Sequence, residues 1–379
     1  EDISDTHKIR VLTALRKELS MTEAAAALET AILRKKAVDK FGIRDAPDMF
    51  FTRGALEQAS DASIRNYRAV QLVLEQSGEP QSILDVCCSI GSDALAFAQG
   101  SKNGVTGLDI DPVRVRIAQM NAAVLDVKNV EFRVADVREG IPDADFVFFD
   151  PARRTDEGKR VFNVERYEPP LSLISQWTHI PRMAVKLAPG VDLEQIAPYG
   201  GSVEFISVDG DLKEAVLWRG FRWQGARATL IRGGTAYHLQ QHENAEAGLD
   251  APRGWLCEPD PSVLRAGLVQ GVAANLNGAM LDETIAYFTS AEKPTGEWAV
   301  WVRAWKILDW MPFNLKKLVS YLRAEGVGQV TIKKRGVPMT PDELLPRMKL
   351  EGDLARTLVL TRYNGEAIVM ICEDYQANA

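Results

Sequence analysis

The sequence predicts an α/β protein: a parallel sheet ending in an antiparallel hairpin, with a helical region before it and a compact α+β module after it. Three observations carry that reading. Between residues 80 and 190 short apolar runs alternate with helical stretches, the pattern of parallel strands covered on both faces. The rhythm then changes to two strand-like runs, "SVEFISVDGDLKEAVLW", joined by Asp209-Gly210, a two-residue hairpin signal. Finally, the polar stretch "QQHENAEAGLDAPRG" reads as a linker to a third region that mixes helices and strands. The expected boundaries are 1–78 for the helical region, 79–240 for the α/β domain and 252–379 for the C-terminal module.

In the first region apolar residues recur at helical spacing in "IRVLTALRKEL", and "MTEAAAALETAILRKKAV" is rich in strong helix formers. "FFTRGALEQASDASIRNYRAVQLVLEQ" continues the pattern, with Asp61 or Ser63 placed to start a helix. In the second region strands are expected at "SILDVCC", "GVTGLDI", "VEFRVADV", "ADFVFFD" and "MAVKLA", and helices at "DPVRVRIAQMNAAVLD" and "PPLSLISQWT". The third region offers helices in "PSVLRAGLVQGVAANL" and "NLKKLVSYLRAEG". Its strands are expected at "EWAVWVRAWKIL", "QVTIKKRG", "RTLVLTRY" and "EAIVMICE". There is no internal repeat.

At 379 residues the chain can hold two or three domains, and 46% hydrophobic with 26% charged residues is ordinary for a globular protein. No apolar run approaches the roughly 18 residues needed to span a bilayer, so no membrane partner is expected. The opening "EDISDTHKIR" is not a signal peptide and lacks an initiator Met, so numbering is expected to start inside a longer chain. Four cysteines and four scattered histidines give neither zinc spacing nor a disulfide framework. No metal is therefore expected, and a reducing, cytoplasmic setting is. A net charge of −7 argues against coating nucleic acid in bulk and is silent on a local basic patch.

"SILDVCCSIGSDALAFA" carries a buried strand through a small-residue turn into a helix. At such a turn the helix N–H groups favour a carboxylate or phosphate, and Gly91 with small Ser89 and Cys87 lets a ligand approach the backbone. A dinucleotide loop needs G-x-G-x-x-G, which one glycine does not supply. Asp85 either meets the ligand or supports the loop by capping the helix. Cys87 and Cys88 have no other Cys or His close in sequence, which disfavours a redox or metal pair. Asp109 ends the second strand, 18 residues after Gly91, where a carboxylate can accept both hydrogen bonds of a ribose diol. Asp111 reads as the N-cap of the helix from Pro112. The third strand ends in "VADV", offering Asp136 to a purine amino group and the Val137 N–H to a ring nitrogen. The fourth ends in "FFDPARR", at the carboxyl edge where ligands of open α/β sheets sit.

Over residues 80–220 this order of motifs, with its terminal hairpin, resembles the class I S-adenosylmethionine-dependent methyltransferases. The resemblance implies their Rossmann-like sheet, S-adenosyl-L-methionine as cofactor and S-adenosyl-L-homocysteine as product. Asp85-x-Cys87-x-Ser89-x-Gly91 fills the first motif and, with Cys88, would face the methionine end. Asp109 would hold the ribose, with Ile110 beside it in the cofactor site, and Asp136 with Val137 the adenine. Asp150, Pro151 and Arg153 would form the reacting centre, Asp150 also bordering the cofactor, with Arg153 and Arg154 toward the substrate. In members that modify base amines, D/N-P-P-aromatic orients the amine while the aromatic stacks on the base. Here Asp150-Pro151-Ala152-Arg153 has an arginine in that place, able to stack on a base or bind a phosphate. D-P-P-R also occurs in pyrimidine-C5 RNA methyltransferases, which need a catalytic cysteine. Cys257 and Cys372 show no base nearby, so covalent catalysis ranks low.

"EPDPSVLRAGLV", "PFNLKKL" and "GVGQVTIKKRGV" resemble a C-terminal THUMP-like module. Residues 311–350 hold eight Lys or Arg against three acids, and Lys333, Lys334 and Arg335 are the foremost candidates for phosphate contacts. Trp298, Trp301, Trp305 and Trp310 suit core packing better than base stacking. Phe51, Thr52, Arg53 and Tyr67 are candidates to cover the cofactor. The expected substrate is RNA, tRNA or rRNA, methylated by direct in-line transfer. The alternatives are a small-molecule or protein methyltransferase and a scaffold that binds the cofactor without catalysis. Neither the methylated atom nor the oligomeric state is specified.

Overall fold

The computed structural model describes residues 5–74, 82–153, 161–240 and 246–374. It divides into two compact units. One comprises Glu1–Val208, Lys213–Gly225 and Ile231–Ala236; the other comprises Asp209–Leu212, Ala226–Leu230 and Tyr237–Ala379.

The first unit begins with α1 (Asp5–Leu15), α2 (Met21–Asp45), α3 (Arg53–Gln58) and α4 (Ala62–Leu74). A reciprocal cap starts α2: the Ser20 hydroxyl accepts from the Glu23 N–H, and the Glu23 carboxylate accepts from the Ser20 N–H. α4 begins directly after Asp61, as its sequence signal predicts.

The sheet strands and helices follow as β1 (Ser82–Val86), α5 (Ser92–Gly100), β2 (Gly104–Asp109), α6 (Pro112–Val124), β3 (Val130–Val134), β4 (Phe146–Phe149), β5 (Met183–Leu187) and α7 (Leu193–Ile196). Then come β6 (Ser202–Val208), β7 (Asp211–Arg219), β8 (Ala226–Arg232) and β9 (Thr235–Gln240). The order is β3-β2-β1-β4-β5-β7-β6-β8-β9, parallel from β3 to β5 and antiparallel between β5 and β7. Every residue of β4, "FVFF", is buried, which is why the run shows no polar alternation. The chain reverses its direction of travel across the sheet at β1, flanked by β2 and β4. Ligands of open α/β sheets bind at this switch point.

All five predicted parallel strands form. Asp209 and Gly210 both take positive φ, 50° and 88°, as a tight hairpin turn requires. One helix differs. "PPLSLISQWT" makes a 3-10 turn, Leu171–Ser175, because Leu171, Ile174 and Trp177 are buried at a three-residue period. Strands β8 and β9 lie beyond the expected hairpin, joined by Gly233-Gly234.

The second unit contains β10 (Trp255–Pro259), α8 (Pro261–Arg265), α9 (Val269–Asn275), β11 (Gly278–Asp282), β12 (Ile285–Ser290), β13 (Val302–Pro312), α10 (Leu315–Ala324), β14 (Val327–Lys334), α11 (Pro341–Met348), β15 (Leu354–Tyr363) and β16 (Glu366–Glu373). Its seven strands run β11-β12-β10-β13-β16-β15-β14, with β14 and β15 parallel across the α11 connection. Leu318, Leu322, Leu344 and Met348 from α10 and α11 share a core with Leu358 and Leu360 of β15. Trp305 packs in a second core with Tyr287 and Met370. Cys257 and Cys372 are fully buried, and burial pushes both thiols up to about 12, so neither is a thiolate at neutral pH. Among the described residues no helix is long and apolar enough to cross a membrane.

Candidate active site

The loop from β1 to α5 departs from ordinary backbone at alternate residues. Cys87 (φ 64°), Ser89 (φ 52°) and Gly91 (φ 80°) all occupy the left-handed region. Glycine takes that region freely; an L side chain pays roughly 1–2 kcal/mol. Two non-glycine residues therefore hold a glycine-type loop path, and hydrogen bonds secure it. The Cys88 N–H donates to Leu108 O at 2.9 Å, the Gly91 N–H to Cys88 O at 2.8 Å, and the Ser89 N–H to Asp109 Oδ2 at 2.8 Å. Gly91 has a further constraint: a Cβ there would lie 2.6 Å from the Phe132 ring of β3. Its glycine is thus needed for packing beneath the loop. Burial, with Asp109 or Asp85 nearby, pushes both Cys87 and Cys88 thiols well above their ordinary value, which disfavours thiolate redox or metal chemistry.

Asp85 is buried at the end of β1. Its Oδ2 accepts the Ala94 N–H at 2.9 Å in the first turn of α5, and its Oδ1 has no partner among the described residues. Burial raises its carboxyl well above the ordinary range, and the nearby Asp93 and Asp150 add to the rise. Asp109 ends β2 with both oxygens engaged by backbone: Oδ2 by Ser89 and Oδ1 by the Asp111 N–H at 2.9 Å. Ile110 beside it is an exposed apolar side chain. Asp111 caps α6, accepting from Val113 at 2.8 Å. Asp136 follows β3 and is held by Arg138 through two nitrogens, at 2.6–3.0 Å, which keeps its carboxyl low. Val137 is buried next to it.

Asp150 stands just past β4, its N–H donating to Val86 O at 3.2 Å. Its Oδ2 lies 2.6 Å from Nζ of Lys186 in β5. The lysine side chain is 4% exposed and the aspartate 25%, so the cation stands behind the carboxylate. Pro151 is buried, and Ala152 forms an antiparallel bridge to Glu168. Arg153 donates to Leu187 O at 2.8 Å, tying this segment to the end of β5. Arg154 lies outside the described residues.

Behind these groups is a buried charge network. Arg68 of α4 pairs with Asp93 of α5 and Glu214 of β7, donates to Ser60 Oγ at 3.0 Å, and lies 4.7 Å over the Phe148 ring. The N-terminal helices are also stitched to the loop. Asn121 of α6 accepts from the Phe50 N–H at 2.7 Å and donates to Phe50 O and Ile90 O. Thr52 caps α3, Arg53 pairs with Glu29 at 2.8 Å, and Tyr67 is buried against Glu204. Phe51 packs on Phe41, ring centroids 5.1 Å apart.

In the second unit Lys333 pairs with Glu258 and lies 4.4 Å over the Trp305 ring, while Arg335 lies 4.9 Å over Tyr287. Of the three foremost basic residues, Lys334 is the exposed one; Lys316, Lys317, Arg347 and Lys349 are exposed as well.

Sequence motifs alone do not single out Lys186 or Arg68. Their signal was a lysine inside the apolar strand "MAVKLA" and an arginine on the apolar face of α4. Such residues are almost never fully buried unless paired.

The chain resembles known proteins in sequence and in fold. A family model described as a methyltransferase domain matches residues 78–159, and one described as THUMP domain-like matches 302–374. An uncharacterized S-adenosylmethionine-dependent methyltransferase of Mycobacterium tuberculosis is 32% identical over 345 residues, covering 88% of this chain and 92% of that protein. An uncharacterized RNA methyltransferase of Oceanobacillus iheyensis is 34% identical over 79 residues, 19% of this chain and 17% of its own. A Porphyromonas gingivalis W83 crystal structure with a provisional methyltransferase name shares the fold at a TM-score of 0.78 and 18% identity, covering 99% of this chain and 100% of that one. The chain belongs to the S-adenosylmethionine-dependent methyltransferases and carries a THUMP-like domain at its C-terminus.

Proposed function

We propose that the chain methylates RNA by direct in-line transfer at Asp150, with the C-terminal unit supplying phosphate contacts. The observation that carries the transfer site is the partly exposed Asp150 carboxylate, set by the β4 end beside the Cys87–Gly91 loop and backed by a buried lysine. The residues fit the cofactor. Asp85 Oδ1, buried and unpartnered among the described residues, suits a cationic group, and binding one would offset the cost of its burial. Asp109 holds the loop and retains lone pairs for a diol, Ile110 offers an apolar surface, and Arg138 fixes the Asp136 carboxylate at the β3 end. Bound S-adenosylmethionine supplies an electrophilic methyl group on a sulfonium. Asp150 then orients the acceptor and takes its proton, so catalysis is mainly positioning.

RNA is favoured by the THUMP-like match, by the name of the Oceanobacillus relative, and by the exposed cations Lys316, Lys317, Lys334, Arg347 and Lys349. The test is the affinity for structured RNA measured between about 50 and 200 mM salt. Phosphate contacts should weaken binding by tenfold or more across that range, and the Lys316→Ala/Lys317→Ala/Lys334→Ala protein should lower the log–log slope by roughly 2–3. Salt-independent or absent binding would point to a small-molecule or protein acceptor.

A further inference from the structure

We infer that the methyl acceptor is a hydroxyl oxygen, in RNA the ribose 2′-hydroxyl, and that Lys186 is a positioning residue for it through Asp150. The inference rests on the transfer site proposed above. Lys186 sits in a strand whose other residues, Met183, Ala184, Val185 and Leu187, are all buried, and Asp150 Oδ2 is 2.6 Å from its ammonium. A buried ammonium is tolerated only when paired, and the partner that faces Lys186 is the Asp150 carboxylate, 2.6 Å away.

That charge discriminates between acceptors. An amine nitrogen becomes cationic as it receives a methyl group, and a fixed ammonium behind its hydrogen-bond acceptor opposes this. A hydroxyl oxygen must instead shed its proton, and the negative charge developing on it is stabilised by the same ammonium. The motif after β4 points the same way. Its fourth residue is Arg153, bound to Leu187 O at 2.8 Å, where an aromatic would stack on a flat base. Ala152 is paired with Glu168, which fixes the segment. A ribose hydroxyl needs no stacking platform. In the step, the methyl–oxygen bond forms as the methyl–sulfur bond breaks. The electron pair of the broken bond stays on sulfur, turning sulfonium into neutral sulfide, and the hydroxyl proton passes to the Asp150 carboxylate and on to solvent.

The test begins with tritium-methyl-labelled product from the intact protein. Alkali cannot cleave RNA at a methylated 2′-oxygen, so label is expected in alkali-resistant dinucleotides. Label in mononucleotides, or on nitrogen or carbon of any acceptor, overturns the inference. Label on a hydroxyl of a non-RNA acceptor removes the RNA reading and leaves the oxygen assignment standing. No labelled acceptor from a protein that binds the cofactor counts against both. For Lys186, the Lys186→Met protein should lose about 100-fold in kcat, the cost of removing one preorganised charge donor. Its cofactor Kd by calorimetry should stay within about threefold, and Lys186→Arg should recover part of the rate. A wild-type kcat in Lys186→Met, or a collapsed cofactor affinity in a folded Lys186→Arg, would overturn its role.

Discussion

Arg68→Met is expected to destabilise the first unit by about 3–5 kcal/mol, the cost of removing one partner from a buried ion-pair cluster. Arg68 is 1% exposed and serves Asp93, Glu214 and Ser60 at once. Burial alone works against its charge, but Asp93 and Glu214 outweigh that and raise its pKa. Without it, two buried carboxylates face one another close to Asp85, which burial already strains. Thermal unfolding should show a drop on the order of 10 °C, and adding Asp93→Asn should recover part of it. The pH dependence has a definite sign. Burial would raise the Asp93 carboxyl, but Arg68, helped by Lys186 and Arg65, holds it below the ordinary value. A depressed carboxyl stabilises the fold above its unfolded pKa, about 4. That contribution is lost as pH falls through the lowered value. A change under about 1 kcal/mol in Arg68→Met would show that the cluster relaxes onto water and that its charges are not confined.

Asp109→Ala is expected to remove cofactor binding, with at least a 100-fold loss in affinity by calorimetry. The carboxylate accepts two backbone N–H groups, from Ser89 and Asp111, and each such charged bond contributes about 1.5–3 kcal/mol. Losing them frees a loop that already holds Cys87 and Ser89 in the left-handed region, so the loop loses its path along with any ribose contact. Asp109→Asn, which keeps one acceptor, separates the two effects. It should retain the loop in part while binding the cofactor weakly. Wild-type affinity in Asp109→Ala would remove this residue from the site.

The parallel strands, their acidic ends and the hairpin were legible because each is a local pattern: apolar runs of strand length, a carboxylate at or just past their ends, Asp-Gly between two strands. The loop was legible in a subtler way. Cys87 and Ser89 stand where glycines would be, and their positive φ values show that the backbone path belongs to the position more than to the residue. What the sequence hid is non-local. Lys186 and Asp150 are 36 residues apart and meet only because β4 and β5 pair in parallel. Arg68 reaches Glu214 across 146 residues. The basic run at Lys333–Arg335 reads in sequence as three candidates for phosphate contacts, yet Lys333 folds onto Glu258 and Trp305, partners supplied by β10 and β13. Periodicity reports which face is buried and says nothing about which charge it will meet there.

The most direct test of RNA methylation at Asp150 is methyl transfer from tritiated cofactor onto RNA, protein and metabolite fractions from cells lacking the protein, with wild type and Asp150→Ala side by side. Label is expected in RNA from the wild type, with a loss of about 100-fold or more in Asp150→Ala and cofactor affinity nearly unchanged between the two. Equal transfer by Asp150→Ala, or cofactor binding by the wild type with no acceptor labelled in any fraction, would contradict it.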